Sequence, residues 1–324
     1  MKLTTRIDNW ELNDPFVTAV ESITHIRTLT VTLEEGGYIG RGEALGVDYL
    51  GEDADSMAAQ IAAVSKEIQP GTSREALQSL LPRGGARNAL DCALWDLESR
   101  RRHCRAWELA GQSVRPVTTV YTLSLDSAGN MAREAALHRH FPVLKLKLDG
   151  RDTAEKLRAV RAARADAELV IDGNGSWSPD LLDELAGPLL ECRVAMLEQP
   201  LPAGEDAVLE GLDYPVTLCA DESCQDSSDL ERMASRYGMV NIKLDKCGGL
   251  TEGLRMVERC RERGLAMMVG NMLGSSLAMA PAFLVAQHCR FTDLDGPLWQ
   301  KTDRRQPIRY QNAEMQPPSR ELWG

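Results

Sequence analysis

The sequence predicts an α/β protein in which a parallel β/α barrel follows a smaller α+β domain. The first observation is a series of eight short apolar runs, which begins at residue 120 and recurs every 22 to 26 residues. The second is that helical patterns such as DTAEKLRAVRAARA and TEGLRMVERCRERG lie between these runs. Eight strands that alternate with helices at this spacing favour a closed barrel. A doubly wound open sheet is the alternative.

Each predicted strand is short, apolar and rich in β-branched or long aliphatic residues. In order, the runs are VYTLSL at 120, VLKLKL at 143, ELVIDGN at 168, VAMLEQP at 194, VTLCADE at 216, MVNIKLD at 239, LAMMVGN at 265 and FTDLDGP at 291. The segment after the eighth run, LWQKTDRRQPIRYQ, is polar and interrupted by proline. The final barrel helix is therefore expected to be missing or replaced, which gives a (β/α)7β modification of the TIM barrel.

The part of the chain before the barrel has a different pattern. RTLTVTLEEGGYIGRGEAL predicts a hairpin around Gly36 and Gly37, while DSMAAQIAAVSKEI and GGARNALDCALWDLESRRR predict helices. We therefore expect an α+β domain over residues 1–115, called the capping domain below, and the β/α barrel over 116–300. The tail, 301–324, is expected to pack back on the capping domain.

Composition limits the classes of function. The net charge of −11 argues against sequence-independent binding to nucleic acid or to anionic membranes, because both need clustered lysine and arginine. The first residues lack the apolar core of a signal peptide, and no apolar run approaches ~18 residues. The eight cysteines are scattered and have no C-x-x-C spacing, as expected of reduced thiols. These features predict a cytoplasmic protein.

Charged residues stand at the carboxyl ends of the predicted strands, where barrels carry their chemistry. Lys145 and Lys147 lie one residue apart in VLKLKL and so share one face of the strand. The other charged residues at strand ends are Asp172, Glu198, Asp221, Lys243, Asp293 and Asp295. Each of these taken alone is typical of a turn, a helix cap or a solvated surface. Their conjunction around one rim predicts an acid/base site.

Three of the carboxylates, Asp172, Glu198 and Asp221, stand on consecutive strands, a natural arrangement for a hard divalent cation. Mg²⁺ fits best, since three protein ligands leave positions for water and substrate. Such an ion on a substrate carboxylate stabilises an enediolate and makes the α hydrogen acidic. A lysine whose pKa is lowered by neighbouring cations is a suitable base. We expect Lys147 to be that base, while Lys145 tunes it and helps to hold the carboxylate.

With these residues in place, the chain resembles the muconate-lactonising subgroup of the enolase superfamily. The resemblance rests on the K-x-K at 145–147, the Asp/Glu/Asp set and the lysine in NIKLDKCGG, and it covers nearly the whole chain. It implies that Lys243 is a second base, on the opposite face of the substrate carbon, and that Lys246 is structural. It also implies Thr122 as a substrate contact, with Asn174 and Glu222 supporting the metal and base groups.

The motif DLDGP narrows the resemblance. It is similar to the D-x-D motif of dipeptide epimerases, in which two aspartates hold the substrate's ammonium group; here they are Asp293 and Asp295 on one strand face. MLEQPLPA, ADESC and VNIKLDKCGGLTE also resemble the branch that acts on L-Ala-D/L-Glu. One departure is the loop DPFVTAVESITH. It carries Val20 and Ile23 where members acting on glutamate tend to carry arginine.

The resemblance therefore implies a Mg²⁺-dependent dipeptide epimerase, an isomerase whose partner is a small-molecule dipeptide; a homo-oligomer is compatible with it. The alternatives are an o-succinylbenzoate synthase, a muconate cycloisomerase or an N-acylamino-acid racemase. A catalytically silent metal-binding protein or scaffold is a further alternative of a different class. The pair Lys147 and Lys243 argues against that last reading, because binding a metal does not need two opposed bases. An arginine elsewhere, such as Arg27 or Arg41, would keep glutamate as the preferred side chain.

Overall fold

The computed structural model describes all residues, Met1–Gly324. An antiparallel sheet of three strands forms the N-terminal part, and its order is β1 (Lys2–Val17), β2 (Ser22–Glu35), β3 (Tyr38–Ala44). Gly36 and Gly37 make the turn between β2 and β3 with positive φ angles of 60° and 83°, which confirms the predicted hairpin. Four helices follow this sheet: α1 (Ala54–Ala63), α2 (Arg74–Leu80), α3 (Gly85–Arg101) and α4 (Ala106–Leu109).

Helix α3 packs directly on β3 because two glycines of the strand leave room for it. A Cβ atom added to Gly40 would lie 2.3 Å from Ala93 O, and one added to Gly42 would lie 2.1 Å from Ala89 O. No larger residue fits at these two positions without moving the helix backbone. This close contact fixes the far end of β3, from which the chain continues toward the barrel.

Eight parallel strands form the second sheet, in chain order from one edge to the other. They are β5 (Tyr121–Leu123), β6 (Val143–Lys147), β7 (Glu168–Asp172), β8 (Val194–Glu198), β9 (Thr217–Ala220), β10 (Met239–Lys243), β11 (Ala266–Gly270) and β12 (Phe291–Thr292). The first and last strands meet where Val120 N donates to Thr292 O over 2.8 Å. The strand order and this closing contact confirm the predicted barrel and exclude a doubly wound sheet. Every strand begins within one residue of its predicted start.

Helices follow most of the barrel strands. They are α5 (Ala128–Leu137), α6 (Thr153–Ala163), α7 (Pro179–Glu191), α8 (Leu230–Ala234), α9 (Leu244–Cys247), α10 (Leu250–Glu262), α11 (Ser276–Ala286) and α12 (Gly296–Trp299). Only the four-residue α12 follows the eighth strand, so the absence of a full final helix is confirmed. The connection after β8 differs from the expected helix, since it holds a single 3-10 turn, Asp206–Leu209. Proline and glycine on both sides of this turn, in LPAGEDAVLEGLDYP, prevent a longer helix.

An apolar layer closes the barrel interior below the charged strand ends. Seven strands or strand starts each contribute one buried side chain to it: Val120, Val170, Met196, Cys219, Met239, Met268 and Phe291. A second, larger core of 57 buried residues includes the side chains between the strands and the surrounding helices. The sulfur-containing residues Cys219 and Met268 therefore fill this apolar layer.

The N-terminal part is held against the barrel by buried polar contacts. Asp245 Oδ1, just beyond β10, accepts hydrogen bonds of 3.0 Å from both Leu45 N and Gly46 N. The tail pairs as strands β13 (Tyr310–Gln311) and β14 (Glu314–Met315) with β4 (Val117–Thr118). Its last tryptophan, Trp323, donates to Cys92 O of α3 over 3.0 Å. These contacts place residues 45–54 over the mouth of the barrel.

Two expectations from composition can be compared with the structure. All eight cysteines are free thiols, and six of them are buried, in agreement with the predicted absence of disulfides. None of the helices combines the length and the apolar character that a membrane span requires.

Candidate active site

A cavity of about 560 Å³ opens at the carboxyl ends of the barrel strands. Its walls come from the barrel on one side and from segments 16–27 and 45–54 of the N-terminal part on the other. Most residues that the sequence singled out lie in this wall: Lys145, Lys147, Lys243, Thr122, Asn174, Glu222, Asp293, Asp295, Val20 and Ile23. The three remaining ones, Asp172, Glu198 and Asp221, lie directly beneath the lysines, at ion-pair distances.

The two lysines of VLKLKL point into the barrel. Lys145 is 1% exposed and Lys147 7%, whereas the leucines that alternate with them, Leu144 and Leu146, belong to the larger core of buried apolar residues. Burying two ammonium groups side by side costs several kcal/mol each unless each has a partner. The partners are carboxylates on the next strands, so the lysine pair is part of a charged interior cluster.

Carboxylates and ammonium groups alternate within this cluster. Lys145 Nζ lies 3.0 Å from Asp172 Oδ2 and 2.8 Å from Glu198 Oε2. Lys147 Nζ donates to the same Asp172 Oδ2 over 2.7 Å, and Lys243 Nζ donates to Asp221 Oδ2 over 2.7 Å. Since Lys147 and Lys243 end the second and sixth of eight strands, they stand on opposite sides of the barrel mouth.

The carboxylates have the properties of a site for a hard cation. No three His, Cys, Asp or Glu side chains lie close enough together to form a ready metal site. The ammonium groups of the lysines lie between the carboxylates instead. However, Glu198 Oε2 is buried and makes no hydrogen bond, although Lys145 Nζ lies 2.8 Å away. Burial and the neighbouring Asp172 charge raise the pKa of Glu198 to about 8. A set of three carboxylates on neighbouring strands, which offers only oxygen ligands, fits Mg²⁺.

The neighbouring carboxylates raise the pKa values of two of the buried lysines. Burial alone would lower the pKa of Lys243, but the charges of Asp221 and Glu198 outweigh it and hold that pKa above its ordinary value. The pKa of Lys145 is raised in the same way, with Asp172 as the largest opposing charge after burial.

Asp293 and Asp295 form an acidic pair on the adjoining wall. Asp293 Oδ2 accepts from Lys145 Nζ, and Asp295 Oδ2 accepts from Thr122 N, both over 2.8 Å. They follow β12 rather than share its face, because the strand already ends at Thr292 and α12 begins at Gly296. Burial and the charge of Asp293 raise the pKa of Asp295 to about 7. The acidic pair therefore contacts only one ammonium group, that of Lys145.

Two predicted supporting residues, Asn174 and Glu222, link Lys147 to the cavity wall. Asn174 Oδ1 accepts from Lys147 Nζ over 3.2 Å, while Asn174 Nδ2 donates to Glu222 Oε1 over 3.3 Å. Burial and the charges of Asp221 and Asp172 raise the pKa of Glu222 to about 7. Thr122 lines the cavity, and its backbone N–H positions Asp295.

Sequence reasoning missed residues that orient the carboxylates. Asn241 Nδ2 donates to Glu198 Oε1 over 2.6 Å, and its place two residues before Lys243 on the same strand face was an available signal. Gln199 Oε1 accepts from Asp221 N over 2.9 Å and so joins two strand ends. Lys246 is fully buried, and its Nζ donates to Asp221 Oδ1 over 2.6 Å, which agrees with a structural role.

The N-terminal wall of the cavity carries both signs of charge. Val20 is 73% exposed at the rim, and Glu21 and Asp48 line the cavity beside it. Burial and the charge of Asp48 raise the pKa of Glu21, and the positive charge of Lys147 opposes this shift. Arg27 also lines the cavity, where it pairs with Asp55 over 2.7 Å.

The other arginine considered from sequence, Arg41, does not reach this cavity. Its Nη2 donates to the backbone carbonyls of Glu321 and Leu322 in the tail. Only Arg27 therefore stands where an acidic substrate side chain could meet a guanidinium group.

Curated relatives with known activities resemble this chain over most of their length. The L-Ala-D/L-Glu epimerase of Escherichia coli is 41% identical over 309 residues, which cover 94% of this chain and 96% of the relative. The N-acetyl-D-glutamate racemase of a Pseudoalteromonas species is 40% identical over 248 residues, which cover 76% and 79%.

Solved structures resemble this fold closely. An enolase family member from Agrobacterium tumefaciens, with bound sodium and L-Ala-L-Glu, has a TM-score of 0.97 at 40% identity and 99% coverage of both chains. The Methylococcus capsulatus dipeptide epimerase, complexed with Mg and L-Arg-D-Lys, has a TM-score of 0.89 at 27% identity, with 98% of this chain and 96% of that chain covered.

Two family models also match. The model of the mandelate racemase / muconate lactonizing enzyme N-terminal domain matches residues 1–111, and that of the enolase C-terminal domain-like family matches residues 129–321. Together they span most of the chain, as the resemblance in the motifs indicated. The chain therefore belongs to the mandelate racemase / muconate lactonizing enzyme family of the enolase superfamily.

Proposed function

We propose that this protein is a Mg²⁺-dependent dipeptide epimerase that inverts the α carbon next to the C-terminal carboxylate of its substrate. The observation that carries the proposal is one cavity in which Lys147 and Lys243 face each other above buried carboxylates, with Asp293 and Asp295 on the wall. Similarity to relatives named as dipeptide epimerases supports it. The test is NMR detection of epimerisation across a panel of dipeptides with Mg²⁺ present.

Each group has a role in this reaction. Asp172, Glu198 and Asp221 would hold Mg²⁺, which supplies positive charge to a substrate carboxylate and so acidifies the α hydrogen. Lys147 takes the proton from one face of the α carbon, and Lys243 returns one to the opposite face. Lys145, in contact with three carboxylates, positions them and adds positive charge beside the substrate.

The remaining assignments belong to the same proposal. Residues 1–115 form the capping domain and 116–300 the catalytic domain, with the tail 301–324 packed on the cap. The dipeptide is the partner, and the location is cytoplasmic. The acidic pair opposes the alternatives that act on muconate or succinylbenzoate, since those substrates carry no ammonium group to offset two buried carboxylates.

N-acetylation of the dipeptide is expected to lower kcat/KM by at least ~10²-fold, because Asp293 and Asp295 then lose their cationic partner. The measurement compares L-Ala-L-Glu with its N-acetyl form under equal Mg²⁺. The matched variant is Asp295→Asn, which should reduce the difference between the two substrates. Equal activity on both would instead identify an N-acylamino-acid racemase, the second candidate, which similarity to the Pseudoalteromonas racemase favours.

The side chain of the epimerised residue is expected to be apolar or cationic rather than acidic. Glu21 and Asp48 line the cavity near Lys147 and would repel a glutamate carboxylate, while Arg27 is already paired with Asp55. The measurement is kcat/KM for Ala-Glu, Ala-Leu, Ala-Phe and Ala-Lys.

A tenfold or greater preference for Ala-Glu, about 1.4 kcal/mol, would contradict this expectation. The variant Arg27→Gln identifies the cause in that case. If Arg27 leaves Asp55 to bind the substrate, the variant loses activity on Ala-Glu alone and keeps it on Ala-Leu.

A further inference from the structure

A second cavity of about 560 Å³ lies at the other end of β3, between the hairpin turn, the end of α3 and the tail. Seven residues line it: Gly37, Tyr38, Ile39, Arg41, Arg100, His103 and Arg320. None of them lines the active-site cavity. We refer to this cavity as the arginine cleft.

Each of the three guanidinium groups of the arginine cleft donates to a backbone carbonyl through one nitrogen and has another nitrogen without a protein partner. Arg41 Nη2 donates to Leu322 O over 3.0 Å, and Arg100 Nη2 donates to Arg320 O over 2.9 Å. Arg320 Nη2 donates to Cys104 O over 3.3 Å. In all three residues, Nη1 has no acceptor within the protein. The backbone contacts therefore fix these side chains while each keeps a donor for a ligand.

Two of these three positive charges have no carboxylate partner. Arg100 pairs with the buried Asp96 over 2.8 Å, but Arg41 and Arg320 make no ion pair. Such a concentration of unpaired positive charge stands out in a chain with a net charge of −11. Burial lowers the pKa of Arg41; the charge of Asp96 opposes this shift, while the neighbouring Arg100 adds to it. A bound anion would supply further negative charge beside this partly buried guanidinium group.

We propose that the arginine cleft is a binding site for a phosphate group, either as free phosphate or on a small phosphorylated molecule. A phosphate dianion would balance the two unpaired guanidinium charges, whereas a single carboxylate would leave one of them unbalanced. Planar guanidinium groups also match the oxygens of phosphate well. The imidazole of His103 and the hydroxyl of Tyr38, 3.2 Å apart, add polar groups to the wall.

The test is calorimetric titration of the full-length, Mg²⁺-loaded protein at low ionic strength with inorganic phosphate and, separately, with glycerol 3-phosphate. Saturable binding of at least one is expected, and the tighter of the two identifies the source of the phosphate group. Arg320→Gln should weaken binding about fivefold or more, as expected for loss of a charge-assisted hydrogen bond in a partly exposed cleft.

The matched control is Arg305→Gln, which removes an exposed arginine of the same tail and should change the affinity less than twofold. Saturating dipeptide should not compete, since the two cavities share no residue. The proposal is overturned if neither ligand binds saturably, if both variants weaken binding equally, or if the dipeptide displaces the anion. This readout does not depend on turnover, so failure of the proposed epimerase activity would remain distinguishable.

Discussion

Replacing Lys147 by alanine is expected to lower epimerisation by at least ~10³-fold, and replacing Lys243 to do the same. Lys147 and Lys243 line the cavity from opposite sides, at the ends of the second and sixth barrel strands. One base remains in each variant, so exchange of the α proton with solvent should persist for one enantiomer only. The two variants should retain opposite enantiomers. The measurement is α-proton exchange in deuterated water with separate L,L and L,D dipeptides.

Two controls separate lost chemistry from lost structure. Lys147 pairs with the buried Asp172, so its removal can also destabilise the fold by a few kcal/mol. Thermal denaturation and Mg²⁺ binding should therefore accompany the assay. Lys66→Ala, at an exposed position, should behave as the wild type. Full epimerisation by either Lys147→Ala or Lys243→Ala would contradict the two-base assignment.

Replacing Asp172 by asparagine is expected to lower activity by at least ~10²-fold, because the site loses part of its electrostatic stabilisation of the reacting carboxylate. It should also weaken Mg²⁺ binding, measured by calorimetry without substrate. The control Asp213→Asn removes a carboxylate from an exposed position and should leave both quantities unchanged. A crystal structure with Mg²⁺ bound away from Asp172, Glu198 and Asp221 would contradict the proposed ligand set.

The barrel could be predicted from sequence because its signal is local. Each strand is a short apolar run, and the spacing between runs leaves room for one helix. The charged residues at the strand ends could be predicted from the same pattern. The alternation of side chains along VLKLKL, for example, places Lys145 and Lys147 on one face. The alternation alone does not show whether this face is buried or exposed. The carboxylates Asp172 and Glu198 on the next two strands indicated that it faces the barrel interior.

Contacts that depend on tertiary structure could not be predicted in this way. The sequence gives no sign that Lys246 reaches back to Asp221, or that Asp245 fixes the chain at Leu45 and Gly46, because these pairs form only after the chain has folded. The absence of a long helix after β8 is instead a local effect, because proline and glycine flank the 3-10 turn.

The active cavity shows why specificity is harder to derive than chemistry. The lysines proposed to transfer protons lie on barrel strands, and their positions follow from strand register. The groups proposed to meet the substrate side chain lie on the loop around Val20 and Glu21 and on the turn at Asp48, which belong to another part of the chain. The apolar and acidic character of these segments could be read from sequence, but their distance from Lys147 could not.

The most direct test of the central claim is proton NMR of a dipeptide incubated with the Mg²⁺-loaded wild-type protein in deuterated water. The account predicts that the C-terminal residue inverts and that the inverted product carries deuterium at its α carbon from the first turnovers. The product receives its deuterium from the lysine on the opposite face, whose protons have exchanged with the solvent. The remaining substrate should therefore lose its α proton more slowly than the product gains deuterium. Absence of both inversion and exchange for every dipeptide in the panel, or inversion with full retention of the original proton, would contradict it.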